Sequence, residues 1–456
     1  MEPREARRRA AQAVFDGARS LQQRNRVGQF ATPSQLASAI ASEALVLLGE
    51  GPVRFGEPSV GSGAFYGALL RSGAEVESAW GVELDPELAG ICREIWSGQL
   101  TVHTGDFTQS RGLRANLILA NPPYVRHHHL TRGEKVRLRA RVQEETGVRL
   151  SGLAGLYVYF MLLGTAALEP DGVAAWLVPS EWMRVGYGRP LRDWLAGSVR
   201  VERVHVFDAN DEQFGDALVS SSVVFVRRAP PGSEVVFSRG GTLARPDESV
   251  LVATAELLAA ERWPPSPVVT GPVLGDWFSV RRGVATGANQ FFVLTRARAD
   301  ELGLPSDALK PVLPSPRELE DDVIEGDGEL FLLDWSGPAS GALREYLEQG
   351  EAAGLPDRYL LSRRKPWYRQ ERRDPAPFVI AYMGRKSPLR VFWNKAGRLA
   401  TNRWLLLYPK EGIGTEAAWR ALRSLDPADA LTFGRQYGGG LNKLEPSELL
   451  RLPLRV

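Results

Sequence analysis

The stretch that decides the fold is Asn116-Leu-Ile-Leu-Ala-Asn-Pro-Pro-Tyr124, in which a short apolar run stops abruptly at two prolines. The run is too short for a helix, and proline cannot continue the hydrogen bonding of a central strand. The pattern therefore predicts a buried strand that ends at Asn121. A residue before proline is held extended, and Asn121 and Pro122 both precede one. In an open α/β sheet ligands bind at the carboxyl ends of strands, so this stretch is a candidate ligand site.

The residue types at this strand end suit the methylation of an exocyclic amino group. Such a nitrogen is a poor nucleophile because its lone pair is delocalised into the ring. The Asn121 side-chain oxygen and the Pro122 carbonyl can accept its two hydrogens, while Tyr124 can stack on the ring. A turn that only terminates the strand explains these four residues about equally well, so the neighbouring stretches must decide between the two interpretations.

Two stretches nearer the N-terminus predict helix starts whose free N–H groups face a negatively charged ligand. In Gly28-Gln-Phe-Ala-Thr-Pro33, Thr32 occupies an N-cap position and is followed by proline. The next strand ends at Glu57, and a turn through Gly61 and Gly63 leads into another helix. Glycine allows close approach of a ligand to the backbone, and a helix N-terminus favours an anion. We expect Thr32, Glu57 and the two glycines to bind a cofactor.

Two further strand ends carry residues typical of a nucleoside site. Ala79-Trp-Gly-Val-Glu-Leu-Asp-Pro86 predicts a strand that ends at Glu83, roughly 20 residues beyond the glycine turn, where an acidic residue binds ribose hydroxyls. The following strand ends at Asp106, which can accept from an adenine amino group while Phe107 packs on the ring. Turns alone do not readily explain this ordered series. The lack of a Gly-x-Gly-x-x-Gly motif counts against a dinucleotide.

Further apolar runs complete the predicted fold. They indicate an α/β domain with a mostly parallel sheet of seven strands over residues 1–240. Proline-rich stretches place a linker at 241–270, and residues 271–456 form a second, mixed α/β domain. An acidic loop before the last predicted strand contains Phe214, which either covers a target base or packs within the loop. His127-His-His129 indicates a solvated loop rather than a metal site.

The second domain contains a dense basic stretch with interleaved aromatic residues. Residues 358–403 hold thirteen Lys or Arg against Glu371 and Asp374. Basic side chains neutralise phosphates and aromatic rings stack on bases, so this composition favours nucleic acid over a merely solvated surface. A glycine turn at 438–440 precedes another lysine, where a plain turn or a phosphate contact is possible. The residues that we expect to contact DNA are Arg363, Arg364, Lys365, Trp367, Arg385, Lys386 and Lys443.

Composition excludes several classes of protein. With 456 residues the chain can form two or three domains, and its net charge of +2 confines any nucleic-acid surface to a local patch. A single cysteine, Cys92, excludes an internal disulfide framework and a cysteine-based zinc cluster. The sequence shows neither a secretory signal nor an apolar run of membrane-spanning length. We expect a cytoplasmic protein, monomeric and without a metal cofactor.

The ordered motifs resemble those of the gamma-class amino-DNA methyltransferases, the TaqI-type N6-adenine enzymes of restriction–modification systems. The resemblance covers the N-terminal half well and is looser beyond it. Its motifs here are Gln29-Phe-Ala-Thr-Pro33, Glu57-Pro-Ser-Val-Gly-Ser-Gly63, Gly81-Val-Glu-Leu-Asp85, Gly105-Asp-Phe107, Asn121-Pro-Pro-Tyr124, Arg282-Gly-Val-Ala-Thr-Gly287, Lys365-Pro-Trp-Tyr368 and Gly438-Gly-Gly-Leu-Asn-Lys443.

This resemblance implies a Rossmann-like, S-adenosylmethionine-dependent methyltransferase domain and a DNA-recognition domain. It implies that Thr32 and the glycine turn hold the methionine moiety, that Glu83 binds ribose, and that Asp106 and Phe107 bind adenine. Asn121, Pro122 and Tyr124 would engage a target adenine flipped out of double-stranded DNA. Phe214 and Phe160 are similar by spacing to a second stacking aromatic and a cofactor-pocket residue.

Other substrates remain open for the same fold. Asn-Pro-Pro-Tyr also occurs in methyltransferases that modify a protein glutamine, and related folds methylate guanine in RNA. A DNA N4-cytosine methyltransferase and a catalytically dead DNA-binding protein are further alternatives. The long basic second half argues against the protein and RNA enzymes. The chain has no nuclease-type acidic cluster with lysine, so cleavage, if there is any, would be done by a separate cognate restriction endonuclease.

Overall fold

The computed structural model describes residues 2–208, 221–265, 269–381, 383–384, 389–437 and 441–455. These form two compact units, Met1–Ser266 and Pro267–Val456. Phe214, Arg385 and Lys386, which we expected to contact a target base or DNA, lie outside the described residues, as does the glycine turn at 438–440.

The first unit is built on one large sheet. Its described strands are β1 Val53–Glu57, β2 Val76–Glu83, β3 Thr101–Thr104, β4 Ala115–Ala120, β5 Leu168–Pro179, β6 Arg200–Val206, β7 Ser221–Arg227, β8 Glu234–Arg239 and β9 Glu248–Ala253. Its described helices are α1 Glu2–Gly17, α2 Leu21–Val27, α3 Ser34–Leu48, α4 Ala64–Arg71, α5 Pro86–Ile95, α6 Arg132–Thr146, α7 Leu156–Ala166, α8 Arg189–Ser198 and α9 Thr254–Ala259.

The strand order of this sheet is β3-β2-β1-β4-β5-β7-β6-β8-β9. Strands β3, β2, β1, β4 and β5 are parallel neighbours, β7 is antiparallel between β5 and β6, and β9 is antiparallel at the edge. The α/β prediction is confirmed, but β8 and β9 extend the predicted seven-stranded sheet to nine described strands. The chain reverses its winding between β1 and β4, and such a switch point forms a crevice at the carboxyl ends of the strands.

Strand β4 shows why the apolar run has no alternation. Leu117 and Leu119 lie in one buried cluster, whereas Ile118 and Ala120 lie in another, on the opposite sheet face. All four side chains are fully buried. A strand that is covered on both faces is apolar at consecutive positions. The continuous apolar run at 117–120 is therefore explained by its place in the centre of a parallel sheet.

The segment that we expected to be a linker contributes to the first unit. Strand β9 pairs with β8, and α9 follows it directly. The Trp263 side chain is fully buried, and its indole N–H donates to the Leu257 carbonyl at 3.1 Å. Residues 241–265 are therefore part of the sheet domain, because their apolar side chains complete its core, and the division between the units falls at 266–267.

The second unit contains three smaller sheets with strand orders β10-β18-β15-β17-β13, β11-β14-β12 and β16-β20-β19. Its described strands are β10 Phe278–Arg282, β11 Val293–Thr295, β12 Leu309–Pro311, β13 Val323–Ile324, β14 Leu330–Leu333, β15 Phe378–Ala381, β16 Met383–Gly384, β17 Arg390–Asn394, β18 Trp404–Pro409, β19 Arg435–Tyr437 and β20 Leu441–Lys443. Its described helices are α10 Leu274–Trp277, α11 Asn289–Phe292, α12 Arg296–Glu301, α13 Gly341–Ala352, α14 Thr415–Arg423, α15 Pro427–Phe433 and α16 Pro446–Leu449.

Candidate active site

The turn after β1 forms an open cradle. Gly61 and Gly63 have φ values of +54° and +84°, a backbone conformation that glycine adopts with little strain. A Cβ atom at Gly63 would lie 2.3 Å from the Trp96 indole nitrogen, whereas one at Gly61 would meet no atom within 4 Å. Gly63 is therefore required by packing inside the protein, and Gly61 borders free space that a ligand can occupy.

Two carboxylates lie at this cradle. Glu57 is 2% exposed, and its Oε2 atom has no hydrogen-bond partner in the described part of the chain. Glu83 accepts from the backbone N–H of Gly61 and of Asp85, both at 2.9 Å. Burial is the main cause that raises the pKa of both side chains. Since a carboxylate has about four lone-pair sites, both residues retain acceptor capacity for a ligand.

Asp106 is more heavily occupied than the sequence indicated. Its Oδ1 accepts from the Thr108 backbone N–H at 2.8 Å and the Thr108 hydroxyl at 2.6 Å, while Oδ2 accepts from Gln109 at 3.0 Å and Arg137 at 2.9 Å. Burial opposes ionisation, but these donors lower the pKa of Asp106. Four donors fill the four acceptor sites of a carboxylate, so an adenine amino group has to displace Gln109 or Arg137.

Phe107 and Phe160 come together on the face of the sheet next to Asp106. Phe107 stacks on Trp80 with ring centroids 6.3 Å apart, and its centroid lies 5.4 Å from that of Phe160. Both phenylalanines are buried. The structure thus places the two predicted apolar cofactor residues in contact, although their sequence positions gave only a spacing argument for Phe160.

Asn121 lies just beyond β4 with its amide held in one orientation. Its Nδ2 donates to the Phe30 carbonyl at 2.9 Å and to the Thr32 hydroxyl at 3.1 Å. The carbonyl of Phe30 can only accept, so the amide nitrogen must face this side and the Oδ1 atom is directed away from it. Ser59 donates to the Asn121 backbone carbonyl at 3.0 Å and ties the strand end to the turn after β1.

Thr32 differs from the sequence prediction. Helix α3 begins at Ser34, so the N-cap position falls on Pro33, and no side chain caps the helix. The Thr32 side chain is 9% exposed and its hydroxyl accepts from Asn121. The prediction of an N-cap at Thr32 is therefore wrong, because the chain stays extended through Pro33 and turns the Thr32 hydroxyl towards the strand end.

Tyr124 is fixed at both its backbone and its hydroxyl. Its N–H donates to the Gly28 carbonyl at 3.2 Å, and its hydroxyl donates to the Leu177 carbonyl at 3.1 Å. Its ring lies 5.9 Å from that of Phe30, at an interplanar angle of 36°. A Cβ atom at Gly28 would lie 2.3 Å from the Tyr124 nitrogen, so this glycine is needed for the close approach. The Gly28–Pro33 segment thus holds Asn121 and Tyr124, the two side chains that the sequence predicted to contact a target base.

The expected DNA-contacting residues of the second unit have different surroundings. Arg363 and Lys365 are exposed, and the Arg363 guanidinium lies 4.0 Å from the Tyr359 ring centroid. Arg364 instead donates to the Ala285 carbonyl at 2.5 Å and to the Thr286 carbonyl at 3.3 Å. It holds a loop within its own unit, a role that a count of basic residues does not reveal.

Trp367 and Lys443 also make contacts within the second unit. The Trp367 ring packs on Phe291 and Phe292, and its indole N–H donates to Glu351 at 3.1 Å. Lys443 Nζ lies 2.9 Å from a Glu445 carboxylate oxygen. Trp367 therefore stabilises the aromatic core of the unit, and Lys443 shares the Glu445 carboxylate with Arg282.

Two of the sequence predictions concern a metal site and a membrane-spanning segment. The described residues contain no group of three or more His, Cys, Asp or Glu placed to hold a metal ion. Within the same ranges, no helix has the length and apolarity needed to cross a bilayer. The predicted solvated loop at His127–His129 is a short 3₁₀ turn in which His128 and His129 have ring centroids 4.2 Å apart.

The sheet order and the cradle at its switch point define a Rossmann-like, doubly wound α/β domain. A family model described as the Eco57I restriction-modification methylase matches residues 107–214. A second, described as the C-terminal domain of the Type II methyltransferase M.Eco57I, matches residues 269–456. Together the two models assign these regions to the domains of a restriction–modification methyltransferase.

Two similar proteins agree with this assignment. The chain is 27% identical over 432 residues to the Type II methyltransferase M.XamI of Xanthomonas campestris pv. amaranthicola, covering 88% of this chain and 80% of that protein. It is 24% identical to M.AccI of Acinetobacter calcoaceticus, covering 94% and 85%.

Two longer enzymes share the fold. The Type IIL restriction-modification enzyme MmeI, solved in complex with DNA, has a TM-score of 0.58 at 12% identity, with 88% of this chain and 65% of that chain covered. The DrdV–DNA complex has a TM-score of 0.54 at 15% identity, with 93% and 55% covered. The chain thus spans less than two thirds of the length of these enzymes.

Proposed function

We propose that the protein is a sequence-specific DNA adenine-N6 methyltransferase that uses S-adenosylmethionine and serves as the modification enzyme of a restriction–modification system. The observation that carries the proposal is the fixed amide of Asn121. Its nitrogen is engaged by Phe30 and Thr32, so its oxygen is the atom available to a target amine. An acceptor at that position suits an amino group and does not suit a hydroxyl or thiol that needs deprotonation.

The chain's own residues account for the activation of the amine. Asn121 Oδ1 and the Pro122 carbonyl accept the two N–H groups of the target, which favours a pyramidal nitrogen with a localised lone pair. These hydrogen bonds strengthen as the nitrogen becomes cationic during transfer, and so they stabilise the transition state more than the ground state. Tyr124 stacks on the base and holds it in line. The proton leaves after transfer, so no general base is needed.

The cradle after β1 fits the proposed cofactor. Gly61 borders open space, and Glu57 offers a buried acceptor atom that has no partner among the described residues. We assign Glu57 and the turn Gly61–Gly63 to the amino-acid end of the cofactor and Glu83 to its ribose. When bound, S-adenosylmethionine supplies an electrophilic methyl group on its sulfonium.

Four further residues complete the proposed binding roles. Phe107 and Phe160 are assigned to the cofactor adenine, and Asp106 joins them once Arg137 or Gln109 moves. Thr32 is assigned to the orientation of Asn121 rather than to direct cofactor contact.

Double-stranded DNA is the proposed substrate for two reasons. The family acts within restriction–modification systems, and the similar enzymes MmeI and DrdV were solved with DNA. We assign target recognition to the second unit, where the exposed Arg363 and Lys365 are suited to phosphates. The target base is flipped from the duplex to reach Asn121, with Phe214 as a second stacking ring. A monomer acting in the cytoplasm beside a separate cognate endonuclease completes the proposal.

The substrate class is tested by transfer of label from S-adenosylmethionine to duplex DNA, total RNA and a glutamine-containing peptide, assayed in parallel. Asn121→Ala serves as the inactive control. Label in DNA alone, lost in the variant, supports the proposal. Label in RNA or in the peptide but not in DNA would reject it and retain only the fold.

A further inference from the structure

A buried arginine from the first helix lies behind the glycine turn. The Arg8 side chain is 3% exposed, and its Nε and Nη2 atoms donate to the Glu5 carboxylate at 2.8 and 2.7 Å. Arginine is almost never fully buried unless it is paired. Composition does not single out Arg8, because it is one of several arginines in α1.

The Arg8 guanidinium also contacts two segments of the candidate site. Its Nη1 donates to the Ser62 hydroxyl at 3.0 Å, in the turn between Gly61 and Gly63. Its Nη2 donates to the Ser34 hydroxyl at 2.9 Å, at the first residue of α3. A planar, rigid group of donors can serve several acceptors with fixed geometry. One side chain thus joins α1, the start of α3 and the cradle.

The charged side chains of Arg8, Arg71 and Glu5 together carry a net positive charge next to the glycine turn. Arg8 and Arg71 both contact the single Glu5 carboxylate, Arg71 at 2.9 Å, so two cations and one anion leave a net charge of +1. Burial and the neighbouring Glu83 raise the pKa of Glu57, and the positive charge of Arg8 opposes that rise. Arg8 therefore favours the ionised form of the buried Glu57.

We propose that Arg8 is a positioning residue of the cofactor site: through its hydrogen bonds to Ser62 and Ser34 it fixes the glycine turn against the start of α3. The assignment rests on the proposed use of S-adenosylmethionine. Arg8 acts through Ser62 and Glu57 and does not itself touch the ligand, so its removal changes affinity and its pH dependence together.

The test measures binding of S-adenosylhomocysteine to the full-length protein by calorimetry at several pH values. Arg8→Gln is expected to weaken binding roughly tenfold, the size of one lost charged hydrogen bond. The pH below which affinity falls is expected to rise, because Glu57 takes up a proton more readily without the nearby cation. Arg7→Gln is the matched control, since Arg7 is an exposed residue of the same helix paired with Glu94.

A conservative variant separates charge from geometry. Arg8→Lys retains the cation, so its pH profile is expected to match the wild type. Its affinity is expected to be intermediate, because an ammonium cannot reproduce the planar contacts to Glu5, Ser34 and Ser62. A purely structural role would lower the affinity of both variants without moving the pH profile of Arg8→Gln, and that result would overturn the proposal.

The remaining outcomes are also decisive. A wild-type protein that fails to bind S-adenosylhomocysteine would overturn the proposed cofactor, and this assignment with it. A folded Arg8→Gln variant with wild-type affinity and pH profile would overturn the role of Arg8 alone. If Arg8→Gln does not fold, Ser62→Ala decides: weaker binding supports the contact from Arg8 to the turn, and unchanged binding overturns it.

Discussion

Substitution of Gly63 by alanine tests the packing that shapes the cofactor cradle. The residue has φ +84°, and an added Cβ would lie 2.3 Å from the Trp96 indole nitrogen. That nitrogen donates to the Ser62 carbonyl at 2.8 Å, and Trp96 is 1% exposed, so the ring cannot swing into solvent. Left-handed geometry costs alanine roughly 1–2 kcal/mol, and loss of a buried hydrogen bond costs about 1–3 kcal/mol. We therefore expect Gly63→Ala to lower the free energy of unfolding by about 3 kcal/mol.

The assay is denaturant unfolding followed by far-ultraviolet circular dichroism, with Gly98→Ala as the matched control. Gly98 has φ +76°, but an added Cβ there would meet no atom within 4 Å, so only the backbone strain applies. We expect Gly98→Ala to lose about 1 kcal/mol, the strain alone. Equal losses in the two variants would refute the argument that Trp96 fixes the turn.

Four further predictions concern residues in and around the site. Asn121→Ala is expected to abolish methyl transfer while the calorimetric affinity for S-adenosylhomocysteine stays within about threefold, since Asn121 faces the target; loss of binding would contradict this. Asp106→Ala is expected to weaken that affinity, whereas Arg137→Ala removes one of the two donors to Oδ2 and is expected not to weaken it; a matching loss in both variants would reject Asp106 as an adenine acceptor. Glu57→Gln is expected to stabilise the fold above pH ~4.5 and to have no effect below it, because burial raises the pKa of Glu57. Glu5→Gln is expected to destabilise at neutral pH, with the difference vanishing as pH falls towards about 2, the lowered pKa of Glu5; pH-independent differences in unfolding midpoint would contradict both.

Much of the fold was predictable because strand and turn signals are local. The continuous apolar run of β4 and the prolines after it specified a central strand and its end. The same was true of the glycine turn after β1, which leads into α4. Strand β9 was missed because it lies at the sheet edge and is partly exposed, as Val250 and Leu251 show. Strand β8 was missed because it follows closely on the prolines at 230–231.

The candidate site, like the fold, was predictable only in part. Motif positions at strand ends were predictable, since chain order fixes which strand end each residue follows. The partners of those residues were not, because they are distant in sequence. Arg137 lies 31 positions from Asp106, and Asn121 lies 89 positions from Thr32. The hydrogen bonds of Arg364 to the Ala285 and Thr286 carbonyls were not predictable, because composition does not show which guanidinium folds back onto backbone carbonyls.

The central claim is the base and the atom that receive the methyl group. The most direct measurement is transfer from labelled S-adenosylmethionine to unmethylated bacterial DNA, followed by digestion to nucleosides and chromatography. The proposed mechanism predicts that the label is found in N6-methyladenine. Label in N4-methylcytosine, or DNA that stays unlabelled while the protein binds the cofactor, would contradict it.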